Sequence, residues 1–206
     1  MKNQYWPPGT KIIRQVRLYH YLVWHKDGYR GPKELKQFLH ADTRMVQRDL
    51  KDIRDAGLLK LKYTRTDNNY IAGGEAVFTQ KATPRRRKHL LRLRRLCILM
   101  DQLEGPDLDE VDEYESALFD YQCSLKDSKE DPELFPPDEI EDPPERPDFP
   151  DVKAQYEALF PGLSTRIRQR DFAVLSKAGY TITYRPEFKA YVIQDFIEDE
   201  FDDPWN

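Results

Sequence analysis

Apolar residues recur at helical spacing in three successive segments near the start of the chain. In the first segment, residues 11–25, four apolar side chains lie three or four positions apart: Ile12, Val16, Tyr19 and Val23. A second segment begins at Pro32, which suits the first position of a helix. A third follows Asp42, whose side chain suits an N-cap, and ends at Ala56-Gly57, where glycine can terminate a helix. The spacing therefore predicts three helices in this part of the chain.

Beyond the third segment the pattern changes to the alternation of apolar and polar residues that is typical of strands. Residues 58–63 alternate, residues 66–69 have the composition of a turn, and Tyr70-Ile71 lead back from it. We therefore predict a β-hairpin directly after the third helix. Three helices and a hairpin within about sixty residues are the layout of a winged helix-turn-helix.

A related string of residues occurs again near the C-terminus. Gln47-Arg48-Asp49-Leu50 in the third helix resembles Gln169-Arg170-Asp171-Phe172, and each string is followed by an Ala-Gly pair and a β-rich stretch. Asp151 and Ser164 are placed to cap two helices of this second copy. Its first helix is predicted at 85–104 from four apolar residues on one face: Leu90, Leu93, Cys97 and Met100. The chain is therefore predicted to contain two winged helix units.

The predicted fold is mainly α-helical with small β-hairpin wings, an α+β class, and the second of its tandem winged helix-turn-helix units is interrupted by an acidic insert. The insert begins with a helical pattern and continues into a proline-rich linker. The predicted order of segments is an N-terminal winged helix-turn-helix at 1–80, a basic helix at 81–105, the acidic insert at 106–150, the remainder of the second unit at 151–194 and an acidic tail at 195–206.

Charge is distributed unevenly along these segments. The formal net charge of −4 argues, for the chain as a whole, against binding to the phosphates of a nucleic acid. Residues 1–105, however, hold 23 basic and 10 acidic side chains, whereas residues 106–150 hold 3 basic and 17 acidic ones. Residues 151–193 are mildly basic, and residues 194–206 are acidic. The small net charge is a cancellation between separate blocks, which leaves the N-terminal half suited to a nucleic acid.

The charged blocks lead to two hypotheses about interactions within the chain. Residues 85–95 carry seven Lys and Arg side chains, and they could pair with the acidic start of the insert as a helical hairpin. Contact with DNA and exposure to solvent are the other interpretations of this basic stretch. The insert and the tail together could also compete with DNA for basic surfaces, which would weaken nonspecific binding.

The first set of candidate DNA-binding residues follows from the predicted helix-turn-helix, whose second helix enters the major groove with its N-terminal half. The side chains available there are polar or basic: Thr43, Arg44, Gln47, Arg48 and, one turn further, Lys51. Arginine can bind guanine through two acceptors, and glutamine can bind adenine in the same way. Phosphate contacts are expected from Lys51 and from three basic residues of the hairpin: Lys60, Lys62 and Arg65. A merely solvated helix face is the alternative interpretation.

The second unit has an equivalent set of candidates and a less basic hairpin. The candidates are Thr165, Arg166, Gln169 and Arg170. Arg168 stands where the first copy has the apolar Val46, which indicates that this helix is either rotated or packed differently. The second set is interpreted either as a further DNA contact or as a structural or dimerising surface.

The string from Asp42 to Leu50, followed by an Ala-Gly pair and the hairpin, resembles the winged helix-turn-helix of DeoR-type bacterial regulators, in particular those that precede a WYL domain. In that family the recognition helix typically reads Ser-x-Arg-Thr-hydrophobic-Gln-Arg-Asp-Leu, and here Asp42 and Met45 replace the Ser and the Thr. The match covers residues 11–72 and, more loosely, 151–193. The resemblance implies sequence-specific binding of double-stranded DNA, usually as a dimer, in transcriptional control. No WYL domain is recognised between the two units, so effector sensing is not carried over.

Residues that could support catalysis or hold a cofactor form no recognisable pattern. The four histidines lack a metal-binding spacing, and the two cysteines form neither a metal-ligand nor a disulfide framework. The acidic residues of the insert lie in a proline-rich context without an ordered ligand loop. We therefore predict that the protein is not an enzyme, has no cofactor, and has neither a catalytic nor a metal site.

The sequence is thus interpreted as a DNA-binding transcriptional regulator that reads the major groove with the helix at 42–56. The resemblance implies a homodimer. The expected location is the cytoplasm, in association with the nucleoid, and the apolar runs are too short to cross a membrane. The alternative is a protein-interaction adaptor that uses the winged helix surfaces and the acidic segments, with the tail as a contact for a protein partner. RNA binding is a weaker option, because no aromatic stacking platform is evident.

Overall fold

The structure is a computed structural model that describes residues 10–24, 31–105, 108–137, 140, 142–146, 151–186 and 188–194. Seven α-helices and four strands lie in these ranges. In chain order they are α1 (Lys11–Trp24), α2 (Pro32–Leu39), α3 (Thr43–Asp55), β1 (Lys60–Thr64), β2 (Asn69–Gly73), α4 (Pro84–Gln102), α5 (Leu108–Glu130), α6 (Val152–Leu159), α7 (Thr165–Ala178), β3 (Thr181–Arg185) and β4 (Ala190–Gln194). The prediction of a mainly helical fold with two small β-hairpins is confirmed.

Two sets of elements follow one another along the chain. We call α1, α2, α3, β1 and β2 the N-terminal group, and α4, α6, α7, β3 and β4 the C-terminal group. Helix α5 lies between α4 and α6 in the acidic insert. The described residues between 131 and 146 form neither an α-helix nor a strand. The tail at 195–206 lies outside the described residues.

The N-terminal ends of three helices lie where the sequence predicts them. The Asp42 side chain accepts a hydrogen bond from the Met45 amide at 2.8 Å, and the Asp151 side chain accepts one from the Lys153 amide at 3.1 Å. Ser164 is the N-cap residue of α7, but its side chain makes no capping hydrogen bond. Local capping signals therefore predicted these positions correctly, although only the two aspartates satisfy an orphan amide.

The C-terminal ends of α3 and α7 are built alike. Both helices pass into a glycine with positive φ, 72° at Gly57 and 116° at Gly179, a backbone region that favours glycine. The residue after each glycine donates its amide to the carbonyl five positions back, at 3.3 and 3.0 Å, as in a Schellman motif. Gly57 is also crowded, because a Cβ there would lie 2.8 Å from the Phe78 amide nitrogen. The two Ala-Gly pairs thus end equivalent helices.

The two hairpins also share a side-chain arrangement. Strands β1 and β2 pair antiparallel, as do β3 and β4, in a register that places Tyr63 opposite Tyr70 and Tyr184 opposite Tyr191. The ring centroids of these pairs are 5.1 and 5.3 Å apart, which is a favourable distance for aromatic rings. A cross-strand tyrosine pair therefore occupies the same place in each hairpin.

One continuous cluster of buried apolar residues includes both groups. Its largest fully buried side chains come from six of the helices: Leu18, Leu22, Leu35, Ile53, Leu90, Leu93, Leu96, Leu99, Tyr156 and Leu175. Because the groups share this core, burial of apolar surface stabilises them together. A smaller cluster joins Val111 of α5 to Phe188, Ala190 and Val192 of the second hairpin.

The helices of the two groups pack in a reciprocal pattern. Helix α1 packs against α3 of its own group and against α7 of the other group. Helix α4 packs against α7 of its own group and against α3 of the other group, and α1 and α4 also contact each other. Exchanging the two groups therefore leaves this set of helix contacts unchanged.

The hypothesis that the basic helix pairs with the acidic helix is wrong. In the described part of the chain, the ion pairs of α4 join it to Asp52, Asp55 and Asp171 of α3 and α7. Helix α5 instead packs its first turns against the second hairpin, where Glu115 lies 3.6 Å from Arg185. A largely buried carboxylate requires a cationic partner, whereas an exposed carboxylate is solvated. The arginines of α4 therefore pair with Asp52, Asp55 and Asp171.

Candidate nucleic-acid interface

The inner face of α3 holds a buried and paired aspartate. Asp49 is 1% exposed. It accepts hydrogen bonds from Arg14 Nε at 2.6 Å and from Gln15 Nε2 at 2.8 Å, both from α1. These bonds satisfy the carboxylate and hold α3 against α1.

Asp52, one turn further along α3, is paired with two cations. Lys11 Nζ lies 2.7 Å from its carboxylate, and Arg86 Nη2 of α4 donates to it at 2.9 Å. Burial raises the pKa of Asp52, but the hydrogen bonds from Lys11 and Arg86 outweigh this effect, and the pKa lies below its ordinary value. Arg86 also donates to Asp55 at 2.7 Å, and its hydrogen bond to Asp52 raises its own pKa. Asp52 is therefore ionised, and the cations that compensate it lie behind the helix.

His89 of α4 joins this network as a neutral group. Its Nε2 lies 2.8 Å from Gln15 Oε1. Burial and then the charge of Lys11 lower the pKa of His89 below its ordinary value. A neutral imidazole with its proton on Nε2 donates to the Gln15 oxygen, so the interior of the network gains no further positive charge.

The outward face of α3 carries the residues predicted to bind DNA. All five of its candidates are exposed: Thr43, Arg44, Gln47, Arg48 and Lys51. The aspartates of the helix turn away from this face, since Asp49 and Asp52 are buried and the Asp55 side chain is only 15% exposed. Beyond the N-cap, the outward face of α3 is polar and basic, and its own carboxylates do not oppose an approaching phosphate.

The first hairpin adds basic side chains next to this helix. Strand β1 packs against α3, and the hairpin exposes the three predicted residues: Lys60, Lys62 and Arg65. Lys60 and Lys62 are two positions apart in β1, so they lie on the same face of the strand. The structure therefore brings the first set of candidates together on one helix and the hairpin that contacts it.

Helix α7 presents the second set of candidates in the same way. Its four candidates are exposed: Thr165, Arg166, Gln169 and Arg170. On the inner face Asp171 is 1% exposed and accepts hydrogen bonds from Arg95 Nε of α4 at 2.6 Å and from the Tyr156 hydroxyl at 2.9 Å. Burial alone lowers the pKa of Arg95, but Asp171 outweighs it and raises that pKa. Each group thus binds the aspartate of its third helix with an arginine of its first helix.

Arg168 is accommodated without rotation of α7. Its side chain is 12% exposed and pairs with Glu157 of α6. The residues that follow are buried as in α3: Asp171, Phe172, Leu175 and Ala178 take the places of Asp49, Leu50, Ile53 and Ala56. Of the two alternatives left open by the sequence, different local packing is the one observed.

The second hairpin is less basic than the first, and it is partly covered by the insert. Thr181 and Thr183 of β3 are exposed and polar but uncharged. Arg185 lies 3.6 Å from Glu115 of α5, and Arg146 of the insert donates a hydrogen bond to the Phe188 carbonyl. The acidic insert therefore contacts the C-terminal group at its hairpin.

Sequence reasoning missed the buried polar residues behind α3 and α7. The signal is an aspartate within an apolar stripe: Asp49 lies three residues after Val46 and four before Ile53. A charged residue at such a position is buried, and buried carboxylates are paired. The identity of the partners could not be read in this way, since Arg95 and Asp171 are separated by 76 positions.

Other chemistry is sparse in the described ranges. They contain no group of three or more His, Cys, Asp or Glu side chains that could hold a metal ion. Cys97 is fully buried, and burial followed by the charge of Asp101 raises the pKa of its thiol. Among the described helices, none is both long and apolar enough to span a membrane.

Comparison of the chain with protein-family models, with curated proteins and with solved structures finds no match. The likeness to DeoR-type regulators therefore rests on the residues quoted above. Function has to be argued from the two exposed helix faces and their surroundings.

Proposed function

We propose that the protein is a sequence-specific double-stranded DNA-binding transcriptional regulator and that α3 reads the major groove. The observation that best supports this proposal is the division of α3 into two faces. Its aspartates point inward onto Arg14, Lys11 and Arg86, whereas its outward side chains are polar or basic. Burial of charge is costly unless each charge is paired. The arrangement leaves a polar and basic face that is clear of the helix's own carboxylates, which suits a helix that approaches phosphates.

In this proposal each group is a winged helix-turn-helix, and α2 and α3 are the paired helices of the first. Arg44 and Arg48 bind guanine and Gln47 binds adenine, through the two-point contacts that these side chains make with base edges. Phosphate contacts from Lys51 and from the basic residues of the first hairpin set the register of the protein on the duplex. The regulator acts in the cytoplasm at the nucleoid.

The test starts with the selection of bound duplexes from a random pool. The affinity for the enriched duplex is then measured by fluorescence anisotropy for three proteins: wild type, Arg44→Ala/Arg48→Ala and the control Lys126→Ala/Lys129→Ala. The control removes the same charge from exposed residues of α5. Each lost base contact is worth about 1–3 kcal/mol, so the α3 variant is expected to bind at least about tenfold more weakly.

Two results would count against the proposal. One is a pool that enriches no sequence. The other is a loss of affinity in the α3 variant that is no larger than in the α5 control, because the arginines would then act only through net charge.

A second candidate function, a protein-interaction adaptor, is favoured by one observation on the insert. Phe119 and Leu134 are 65% and 67% exposed, among acidic residues, and an adaptor would bury such apolar side chains against its partner. For an adaptor, Phe119→Ala/Leu134→Ala should abolish capture of a protein partner, whereas Arg44→Ala/Arg48→Ala should not. For a regulator, Arg44→Ala/Arg48→Ala should weaken DNA binding, whereas Phe119→Ala/Leu134→Ala should not.

A further inference from the structure

We infer that a single copy of this chain binds two half-sites on one DNA duplex, with α3 in one major-groove segment and α7 in another. This inference rests on the proposed DNA-binding function. It adds that the second half-site is read within the same chain, so that the two groups act as a dimer made from one polypeptide.

The first support is the identity of four exposed residues in the N-terminal halves of α3 and α7. At the four exposed positions, Thr43, Arg44, Gln47 and Arg48 in α3 correspond to Thr165, Arg166, Gln169 and Arg170 in α7. Three of the buried positions differ, with Val46, Leu50 and Ile53 replaced by Arg168, Phe172 and Leu175. Surface residues that are merely solvated have no reason to match while the core beneath them changes. The same four side chains would read the same bases.

The second support is the common way in which both faces are held outward. Asp49 and Asp171, which follow the four candidates in each helix, are both 1% exposed. Each accepts a 2.6 Å hydrogen bond from an arginine Nε of the first helix of its group, Arg14 or Arg95. The aspartate and its arginine fix the rotation of each helix about its axis. Both helices therefore present equivalent faces to solvent.

The third support is the reciprocal packing of the groups. Helix α1 contacts α7 and helix α4 contacts α3, which is the pattern of an isologous interface between two similar subunits. Arg17 Nη2 of α1 donates to the Lys177 carbonyl at 2.6 Å, and Arg86 Nη2 of α4 donates to the Asp55 carboxylate at 2.7 Å. The acceptor residues 55 and 177 occupy the same place, one before the Ala-Gly pair, whereas the donors do not correspond, since the match of Arg14 with Arg95 aligns Arg17 with Ile98. Helix-turn-helix dimers present their two recognition helices to DNA through such a symmetric interface.

The shared core gives this arrangement a consequence for the DNA. Since both groups belong to one hydrophobic cluster, the separation of α3 and α7 is set by packing. One spacing between the half-sites should therefore be preferred. The half-sites should resemble each other in sequence, because the reading residues are the same.

The two half-sites should not contribute equally to affinity. Lys51 of α3 corresponds to Ala173 of α7, and Lys60 and Lys62 of β1 correspond to Thr181 and Thr183 of β3. Each lost cation removes a phosphate contact and its release of counterions. The half-site read by α7 is therefore expected to be the weaker one.

The experiment uses the full chain and duplexes selected from a random pool, and it compares wild type with Arg166→Ala/Arg170→Ala. Wild type is expected to enrich two similar half-sites at one spacing, and native mass spectrometry is expected to find one chain per duplex. The α7 variant should enrich only one of the half-sites and bind the original duplex about tenfold more weakly or worse. Lys126→Ala/Lys129→Ala again serves as the charge-matched control.

A change made in the DNA repeats the test without altering the protein. Scrambling either half-site of the enriched duplex should weaken binding by wild type. The α7 variant should be insensitive to scrambling of the half-site that α7 reads in wild type. A single enriched half-site, two chains per duplex, or equal binding by the α7 variant and the control would overturn the inference while leaving DNA binding intact. A pool in which wild type enriches nothing would overturn the proposed function itself.

Discussion

The N-terminal and C-terminal groups share a buried aspartate paired with an arginine but present different charge to solvent. In both, an arginine of the first helix holds a buried aspartate of the third helix at 2.6 Å. On the outside, Lys51 of α3 is matched by Ala173 of α7, and the lysines of the first hairpin are matched by threonines in the second. The pairing of the buried aspartate is therefore common to both groups, whereas the charge of the surface is not. A fold can be kept while its attraction for phosphate is reduced.

The acidic insert adds to the difference between the groups. Helix α5 contacts the second hairpin through Val111 and through the ion pair of Glu115 with Arg185. The weaker of the two proposed DNA-binding surfaces is thus the one that already has an acidic neighbour. The first group keeps its basic hairpin residues exposed, which agrees with its proposed role as the principal reader of DNA.

Removal of the buried aspartate should have the largest effect on the free energy of unfolding, and the effect should be similar in the two groups. Asp49→Ala removes the carboxylate partner of Arg14, and Asp171→Ala removes that of Arg95. Both arginines are mostly buried, so each loss is expected to cost about 3 kcal/mol of unfolding free energy. Urea unfolding measures the loss, and Asp67→Ala in the exposed turn of the first hairpin should stay within about 0.5 kcal/mol. A large loss in one group only would break the comparison, because the two anchors would not be equivalent.

A smaller difference between the groups should appear in the pH dependence of stability. Asp52 of α3 corresponds to Val174 of α7, so only the N-terminal group has this second buried carboxylate. Because folding lowers the pKa of Asp52, its ionised form stabilises the protein at neutral pH, and this contribution is lost as the pH falls through the lowered pKa.

The variant that tests this pH dependence is Asp52→Asn. It is expected to cost about 1–2 kcal/mol at pH 7, and the difference from wild type should shrink as the pH falls below about 4. Urea unfolding at pH 7 and pH 3 measures both quantities, with Asp67→Asn as the control. The same difference at both pH values would show that the carboxylate charge of Asp52 does not contribute.

The smallest effect should come from the contact between the insert and the second hairpin. Glu115→Gln removes an exposed ion pair of Arg185 worth less than about 1 kcal/mol, and it should raise nonspecific DNA affinity by no more than about fivefold. Glu113→Gln makes the same charge change on an exposed residue of the same helix. If the two variants raise affinity equally, the effect is one of net charge and the contact with Arg185 has no part in it.

Local signals were sufficient to predict most elements of the fold. The predicted start of the second helix at Pro32 and the cap at Asp42 are confirmed, because capping and helical periodicity act within a few residues. The two hairpins were found from alternation and turn composition for the same reason. The pairing of the basic helix with the acidic helix was wrong, since charge alone does not specify a partner when several carboxylates are available.

The exposure of the candidate residues was also predictable from the sequence. The cations that pair with the buried aspartates behind them were not. Once Val46 and Ile53 are assigned to the core, the helical period places Arg44 and Arg48 on the opposite side. The cations Arg14, Arg86 and Arg95 lie 31 to 76 positions away in the chain from the aspartates that they compensate. The periodicity of apolar residues does not indicate which distant segments of the chain come into contact.

By itself, the sequence determined the helices, the hairpins, their repetition and the outward faces of α3 and α7, because each depends on residues close together in the chain. Only the tertiary structure decided which arginine compensates each buried aspartate, that both groups share one hydrophobic core, and that the acidic helix lies against the second hairpin rather than against α4. These outcomes depend on contacts between distant segments, which compete for partners and are settled only when all of the segments pack at once.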